Sequence, residues 1–167
     1  MAMCPGAIGT AIPTDAQGWY EPHDAAAFVD RLMDRSDVLA VGPGLGTSPG
    51  ACAAVLRAIQ QDHLPVVLDA DGLNCLGKIP EFQRDFRASA VLTPHPGEFK
   101  KLVNTLGLKG DLGLAASREG AAEQLAQRLG RIVVLKGHRT VVSDGMRTWT
   151  NSTCLLYTSD AADEGLG

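Results

Sequence analysis

Four short apolar runs limit how this chain can fold: Asp37–Val41, Pro65–Leu68, Ala90–Thr93 and Arg131–Leu135. A helical pattern lies between each successive pair. Most of the runs are continuously apolar, the pattern of strands buried on both faces. Strands that alternate with helices along a chain pair in parallel and take the helices as outer layers. The expected fold class is α/β, a mostly parallel sheet with helices on both faces. At 167 residues the chain is long enough for one domain with a real core. Nothing marks a domain boundary before residue 150.

Local signals place the other elements. Residues 1–22 hold many turn formers and little periodicity. Asp24 to Arg35 reads as a helix with Ala27, Phe28, Leu32 and Met33 on one face. Ser48 is a good N-cap and Pro49 a good first helical residue, for a helix reaching about His63. A short helix passes through Leu73 and Leu76, and another runs from Pro96 to Leu106. Lys109 to Gly113 is a loop. Ser117 to Leu129 is a helix with Ala121, Ala122, Leu125 and Leu129 on one side. Thr140 to Ser143 and Arg147 to Thr150 form a hairpin across Asp144-Gly145.

Composition removes several classes of function. The net charge is −4, and no basic run could follow a phosphate backbone. Aromatic residues make up 5% of the chain, too few for a base-stacking platform. No apolar run is long enough to span a membrane. Met1-Ala2-Met3-Cys4-Pro5 lacks the basic and apolar regions of a signal peptide. Cys4, Cys52, Cys75 and Cys154 are scattered, with no C-x-x-C pair and no histidines to complete a zinc set. They read as free thiols in a reducing cytoplasm.

Four segments carry chemistry. In Val91-Leu-Thr-Pro-His-Pro-Gly-Glu98, two prolines clamp His95 at the carboxyl end of a strand. Proline fixes its own φ and holds the preceding residue extended. Strand carboxyl ends are where open α/β sheets bind ligands. Glu98 falls in the first helical turn, where a negative charge offsets the dipole without any further role. Gly42-Pro-Gly-Leu-Gly46 joins a strand to a helix and could let a ligand approach the backbone, or serve only as a tight turn. Asp69 and Asp71 end a strand, with Asn74 one turn on. They could meet a hydrated metal or substrate hydroxyls, or only a turn and a helix cap. Lys136-Gly137-His138-Arg139-Thr140 could grip phosphate oxygens, or be a solvated turn.

Taken together and in order, Gly42–Gly46, Asp69–Asn74, Leu92–Glu98 and Leu135–Val141 resemble the ADP/ATP-dependent NAD(P)H-hydrate dehydratases, whose fold is ribokinase-like. The resemblance runs from about Asp37 to Thr153. It implies repair of hydrated NADH and NADPH: ADP or ATP phosphorylates the ring hydroxyl, and loss of phosphate restores the dihydronicotinamide. It implies that Gly46 and His95 contact the hydrated dinucleotide. Lys136, Gly137, His138, Arg139 and Thr140 would line the adenine-nucleotide site, and Asp69, Asn74 and Glu98 would stand around the cleft. It implies Mg²⁺ beside the phosphates, no dedicated protein metal site, and a homo-oligomeric parent.

Two departures qualify the resemblance. The family continues past Thr153 into a Gly-Asn-Pro-Gly segment and a Gly-Gly-Thr-Gly-Asp turn holding the expected base. Here Cys154 to Gly167 resembles translated sequencing-adapter read-through, so no catalytic residue is assigned. The family's first strand and glycine-rich helix start are also missing. Residues 1–153 are expected to form a domain incomplete at both ends, with apolar sheet surface exposed, and 154–167 a non-native tail. Such a chain is expected to show little or no dehydratase activity, because half a phosphate cradle lacks preorganised donors. The alternatives are a small-molecule kinase of the same fold and a non-catalytic nucleotide-binding remnant.

Overall fold

The computed structural model describes residues 9–12, 14–108 and 117–152. The Lys109–Gly113 loop, the 154–167 tail, Cys4 and Cys154 lie outside the described residues. In chain order the elements are α1 (Pro22–Met33), β1 (Leu39–Val41), α2 (Pro49–Gln60), β2 (Val66–Leu68), α3 (Asp71–Leu76), a 3-10 turn (Phe82–Arg84), β3 (Ala90–Leu92), α4 (Pro96–Thr105), α5 (Arg118–Leu129), β4 (Ile132–Leu135), β5 (Val141–Ser143) and β6 (Thr148–Thr150). One six-stranded sheet holds all the strands in chain order. β1 to β4 are parallel, and β5 and β6 return antiparallel.

That order determines where the helices lie. Right-handed crossovers between successive neighbours that always step the same way deposit their helices on one face. Leu39, Val66, Leu68, Leu92, Val133, Leu135 and Val141 are buried beneath that layer. The alternate residues Val67, Val91, Val134 and Val142 are half-buried, and Ala40, Ile132 and Trp149 are exposed. The expected cover on both faces is thus met on one face among the described residues. α5 packs Ala122, Leu125, Ala126 and Leu129 into the core across β4 and β5.

Several boundaries differ from the sequence expectation, for local physical reasons. α1 starts at Pro22 and buries Ala25, Phe28, Val29 and Met33 against α2, leaving Leu32 38% exposed. α2 stops at Gln60 because the next side chain closes the turn. Gln61 Nε2 donates to Ala58 O at 3.2 Å and Leu64 O at 2.8 Å, while its Oε1 accepts from the His63 and Leu64 amides at 2.9 and 2.7 Å. The hairpin loop is four residues long, one more than the expected strand ends leave. Asp144 Oδ1 accepts from the Met146 and Arg147 amides at 2.8 and 2.7 Å, which delays β6 to Thr148.

Gly42 and Gly50 make the tightest backbone approaches among the described glycines. A Cβ on Gly42 would lie 1.7 Å from Asp69 O, and one on Gly50 would lie 1.9 Å from Tyr20 O. Gly42 also sits at φ +134°, whereas Gly44, at φ +72°, has open space beside it. Gly42→Ala should therefore cost at least about 3 kcal/mol, through overlap and strain together. Gly44→Ala should cost only about 1–2 kcal/mol, from φ alone. Urea midpoints check this, and equal losses would refute the close-approach argument.

Candidate functional site

Strand register creates the candidate site. Val41 pairs with Leu68 and Leu68 with Leu92, so β1, β2 and β3 leave the sheet at the same level. The Lys136 amide donates to Pro94 O at 2.8 Å, which brings the segment after β4 alongside. Gly42–Gly46, Asp69–Asp71, Thr93–His95 and Lys136–Thr140 therefore share one edge of the sheet, the carboxyl edge where α/β sheets bind ligands.

At its centre Lys136 Nζ donates to Asp69 Oδ1 at 2.6 Å. The two side chains are 40% and 35% exposed, so the pair faces solvent. Burial pushes the Asp69 carboxyl up. Hydrogen bonds from the Lys136 and Thr93 side chains and the Ala70 amide, with the charge of Lys136, outweigh it and leave the carboxyl below its usual range. Ala70 lies at φ 47° and ψ −120°, a strained conformation for a residue with a Cβ. On its far side Asp71 Oδ2 accepts from the Gly46 amide at 2.9 Å. One strained residue thus separates two carboxylates with different partners.

Gly46 lies at φ +74° with nothing within 4 Å of a would-be Cβ. With Trp19, Thr47, Ser48 and Pro49 it lines a cavity of about 360 Å³. That volume falls in the range of small-molecule sites. The expected Ser48 cap is present, accepting from the Ala51 amide at 3.2 Å. Asn74 does not face this cavity. Its Oδ1 accepts from Lys101 Nζ at 2.6 Å and its Nδ2 donates to Asp71 Oδ1 at 3.4 Å, tying α3 to α4.

His95 is the N-cap of α4. Its Nδ1 accepts from the Gly97 and Glu98 amides at 3.0 and 3.4 Å, and its Nε2 lies 3.3 Å from Glu98 Oε1. Glu98 Oε2 accepts from the His95 amide at 2.9 Å, completing a capping box. Both ring nitrogens are engaged, so His95 offers a ligand its ring face and carbon edge. Glu98 is 4% exposed and fulfils the structural reading of that residue.

The Lys136–Thr140 segment is a tight turn held from below. Arg118 Nη2 donates to Leu135 O at 3.1 Å and Lys136 O at 2.8 Å, with its guanidinium against the Gly137 α-carbon. Gly137 takes φ +133° and Arg139 φ 58°. The Thr140 hydroxyl donates inside the turn to Gly137 O at 3.1 Å. His138 and Arg139 are exposed. Among the described residues no three His, Cys, Asp or Glu side chains converge to hold a metal ion. No described helix is long and apolar enough to cross a membrane.

The expected residues thus fall into three groups: Gly46 with Asn74 through Asp71, Asp69 with Lys136, and His95 with Glu98. Gly137 to Thr140 extend the second group along the turn. Sequence reasoning left Asp71 between a metal or substrate-hydroxyl role and a helix cap, and missed Trp19, Lys101 and Arg118. The separations of 25 positions from Gly46 to Asp71, and of 17 from Arg118 to Leu135, leave no periodic trace.

Two substitutions test this geometry. Lys136→Met should raise the Asp69 pKa, followed by carboxyl-carbon NMR. A lowered carboxyl pKa adds stability above the unfolded value of about 3.9 and loses it as pH falls through the folded one. Wild type should therefore exceed Lys136→Met at neutral pH, by under about 1 kcal/mol because the pair is exposed. The gap should close in acid. His95→Ala should cost about 1–2 kcal/mol in denaturant titrations, with His95→Asn recovering part of it as a good N-cap.

The profile of the NAD(P)H-hydrate dehydratase family matches residues 7–162. The chain is 44% identical over 136 residues to the bifunctional NAD(P)H-hydrate repair enzyme Nnr of Mycobacterium tuberculosis, covering 81% of this chain and 27% of that protein. It therefore spans about a quarter of that enzyme's length. Among solved structures it is similar to the ADP/ATP-dependent NAD(P)H-hydrate dehydratase of Bacillus subtilis, co-crystallised with ATP and Mg²⁺ and soaked with CoA. That likeness has a TM-score of 0.51 and 34% identity, over 70% of this chain and 40% of that one. A ribokinase-like superfamily protein of Enterococcus faecalis shares the fold at a TM-score of 0.56 and 20% identity, over 78% of this chain and 44% of that one. With its mostly parallel sheet, its four motif segments on one edge and this extent of match, the chain belongs to the NAD(P)H-hydrate dehydratase family, on a ribokinase-like fold.

Proposed function

We propose that this chain carries part of the ligand-binding edge of a cytoplasmic, homo-oligomeric dehydratase that returns hydrated NADH and NADPH to the reduced dinucleotides at the expense of ATP or ADP. The observation that carries the reading is the Lys136–Asp69 pair, 2.6 Å apart and open to solvent between the Gly46 loop and the Lys136–Thr140 turn. A nucleotide phosphate arriving at that edge meets a cation whose present partner is half-exposed and exchangeable. Exposed Arg139 and His138 add donors along the same turn. Gly46, open beside its α-carbon, and the half-exposed His95 ring supply the side for the hydrated dinucleotide.

Mg²⁺ fits this edge in a limited way. It is commonly held by one or two carboxylates together with substrate phosphates and water. Asp69 is the carboxylate in place, and the described residues build no cage. When bound, the ion would neutralise phosphate charge. The residues' own part is to orient the phosphates through Lys136 and to hold the substrate beside Gly46.

The test adds hydrated NADH, Mg²⁺ and ATP or ADP to the full-length parent protein, because this chain by itself is expected to show little or no turnover. Nucleotide-dependent return of reduced-nicotinamide absorbance, with phosphate released, is the expected chemistry. A stable phosphorylated product without that absorbance would make the protein a small-molecule kinase instead. In parallel, ATP with Mg²⁺ should raise the Tm of the chain. Lys136→Met should abolish the shift, and an undiminished shift would remove Lys136 from the nucleotide site.

A further inference from the structure

Under the Gly42–Gly46 loop lie two thiols that the proposed function does not use. Cys52 stands in the first turn of α2 and Cys75 in α3. Cys75 Sγ donates to Gly46 O at 3.7 Å, and Cys52 Sγ to Thr47 O at 4.0 Å. The acceptors belong to consecutive residues, so one short stretch of backbone rests on both sulfurs. The two thiols also stand near enough for Cys52 to raise the Cys75 thiol above its usual range. Cys75 is fully buried and Cys52 half-buried. The same backbone is fixed by two charged groups: Asp71 on the Gly46 amide, and Lys78 Nζ on Thr47 O and Oγ1 at 3.1 and 2.7 Å.

We propose that Cys52 and Cys75 form a reversible intramolecular disulfide that couples oxidation to the Gly46–Thr47 segment. The oxidant is a low-molecular-weight disulfide of the glutathione class. Cys52, the more reachable thiol, attacks it. A mixed disulfide forms at Cys52, and one small thiol leaves with the Cys52 proton. Cys75 then attacks the Cys52 sulfur, and the second small thiol leaves with the Cys75 proton. The protein gives up two hydrogens and two electrons, and the small disulfide takes them up.

The geometry makes the couple directional. Burial first, and neighbouring Cys52 second, pushes the Cys75 thiol up to about 12, so in the dithiol Cys75 stays protonated as a donor to Gly46 O. Capping Cys52 in the mixed disulfide removes its share of that push. A disulfide needs its sulfurs about 2.05 Å apart, with no S–H left to donate. Closing it therefore takes the thiol donor from Gly46 O and leaves Thr47 O with Lys78 alone. Disulfide formation stands independently of the proposed activity. Only its effect on ligand binding rests on the assignment of Gly46 to the hydrate side.

The test equilibrates the chain with graded ratios of oxidised to reduced glutathione, blocks free thiols and maps the peptides. A Cys52–Cys75 linkage, lost on adding dithiothreitol, is the expected result, with a mixed disulfide at Cys52 accumulating in Cys75→Ser. If both residues stay alkylatable at every ratio, or only mixed disulfides form in the unaltered chain, the proposal is overturned. Binding of hydrated NADH to the oxidised chain should be about fivefold weaker or more, with Cys52→Ser, which lacks the attacking thiol, insensitive to the redox ratio. A linked chain that binds as tightly as the reduced one overturns the coupling. If neither form binds hydrated NADH, the assignment of Gly46 and the coupling both fail, while the disulfide is judged by the peptide map alone.

Discussion

The candidate site depends on backbone packed against backbone where β1 and β2 leave the sheet. Gly42 brings its α-carbon onto Asp69 O and Gly72 N, where any Cβ would overlap. Gly72 is constrained from the other side, where a Cβ would lie 2.6 Å from Val41 O. Only at this separation can the Asp71 carboxylate reach the Gly46 amide. Ala70 takes up the resulting turn in a strained conformation. Strain of that kind costs about 1–3 kcal/mol and persists only where its surroundings over-determine it. Asp71 on Gly46 and Asp69 on Lys136 constrain it from either side.

Two side-chain pairs at the same edge have opposite uses, and burial decides which is which. Glu98 is 4% exposed and has both carboxylate oxygens bonded within the α4 cap. Removing its partner would leave a buried carboxyl group short of a hydrogen bond, so the pair is a fixed part of the helix. Lys136 and Asp69 are 40% and 35% exposed, and water already competes for each of them. Replacing that contact by a phosphate oxygen costs little. The edge thus contains a rigid cap beside an exchangeable cation, which suits an anionic ligand better than two rigid pairs would.

The strands were legible because they obey a short-range rule. Four apolar runs became β1 to β4 within a residue or two, and the Ser48–Pro49 start of α2 held. What misled was long-range. Continuous apolar strands implied cover on both faces, but a sheet built in chain order places its crossovers on one. Val67, Val91, Val134 and Val142 are therefore half-buried among the described residues although their residue type suits a core. The end of α2 was hidden for another reason: Gln61 acts through four side-chain bonds, while periodicity registers only apolar spacing.

The site residues were readable as types and positions, not as partners. Prolines on either side of His95 announced a rigid strand end, and the strand end is there. That its ring would close a capping box with Glu98 could be suspected only from Glu98 at the third helical position, since histidine is not a usual cap. Asp69 and Lys136 were both singled out, yet 67 residues of chain separate them, and only the parallel register of β2, β3 and β4 makes them neighbours. Cys52 and Cys75 show the same limit. Scattered in sequence, they fit no spacing rule, and the fold stacks them beneath one peptide segment. In a parallel sheet the chemistry collects at the carboxyl edge from loops far apart in the chain, so a sequence reveals the loops one at a time and only the register pairs them.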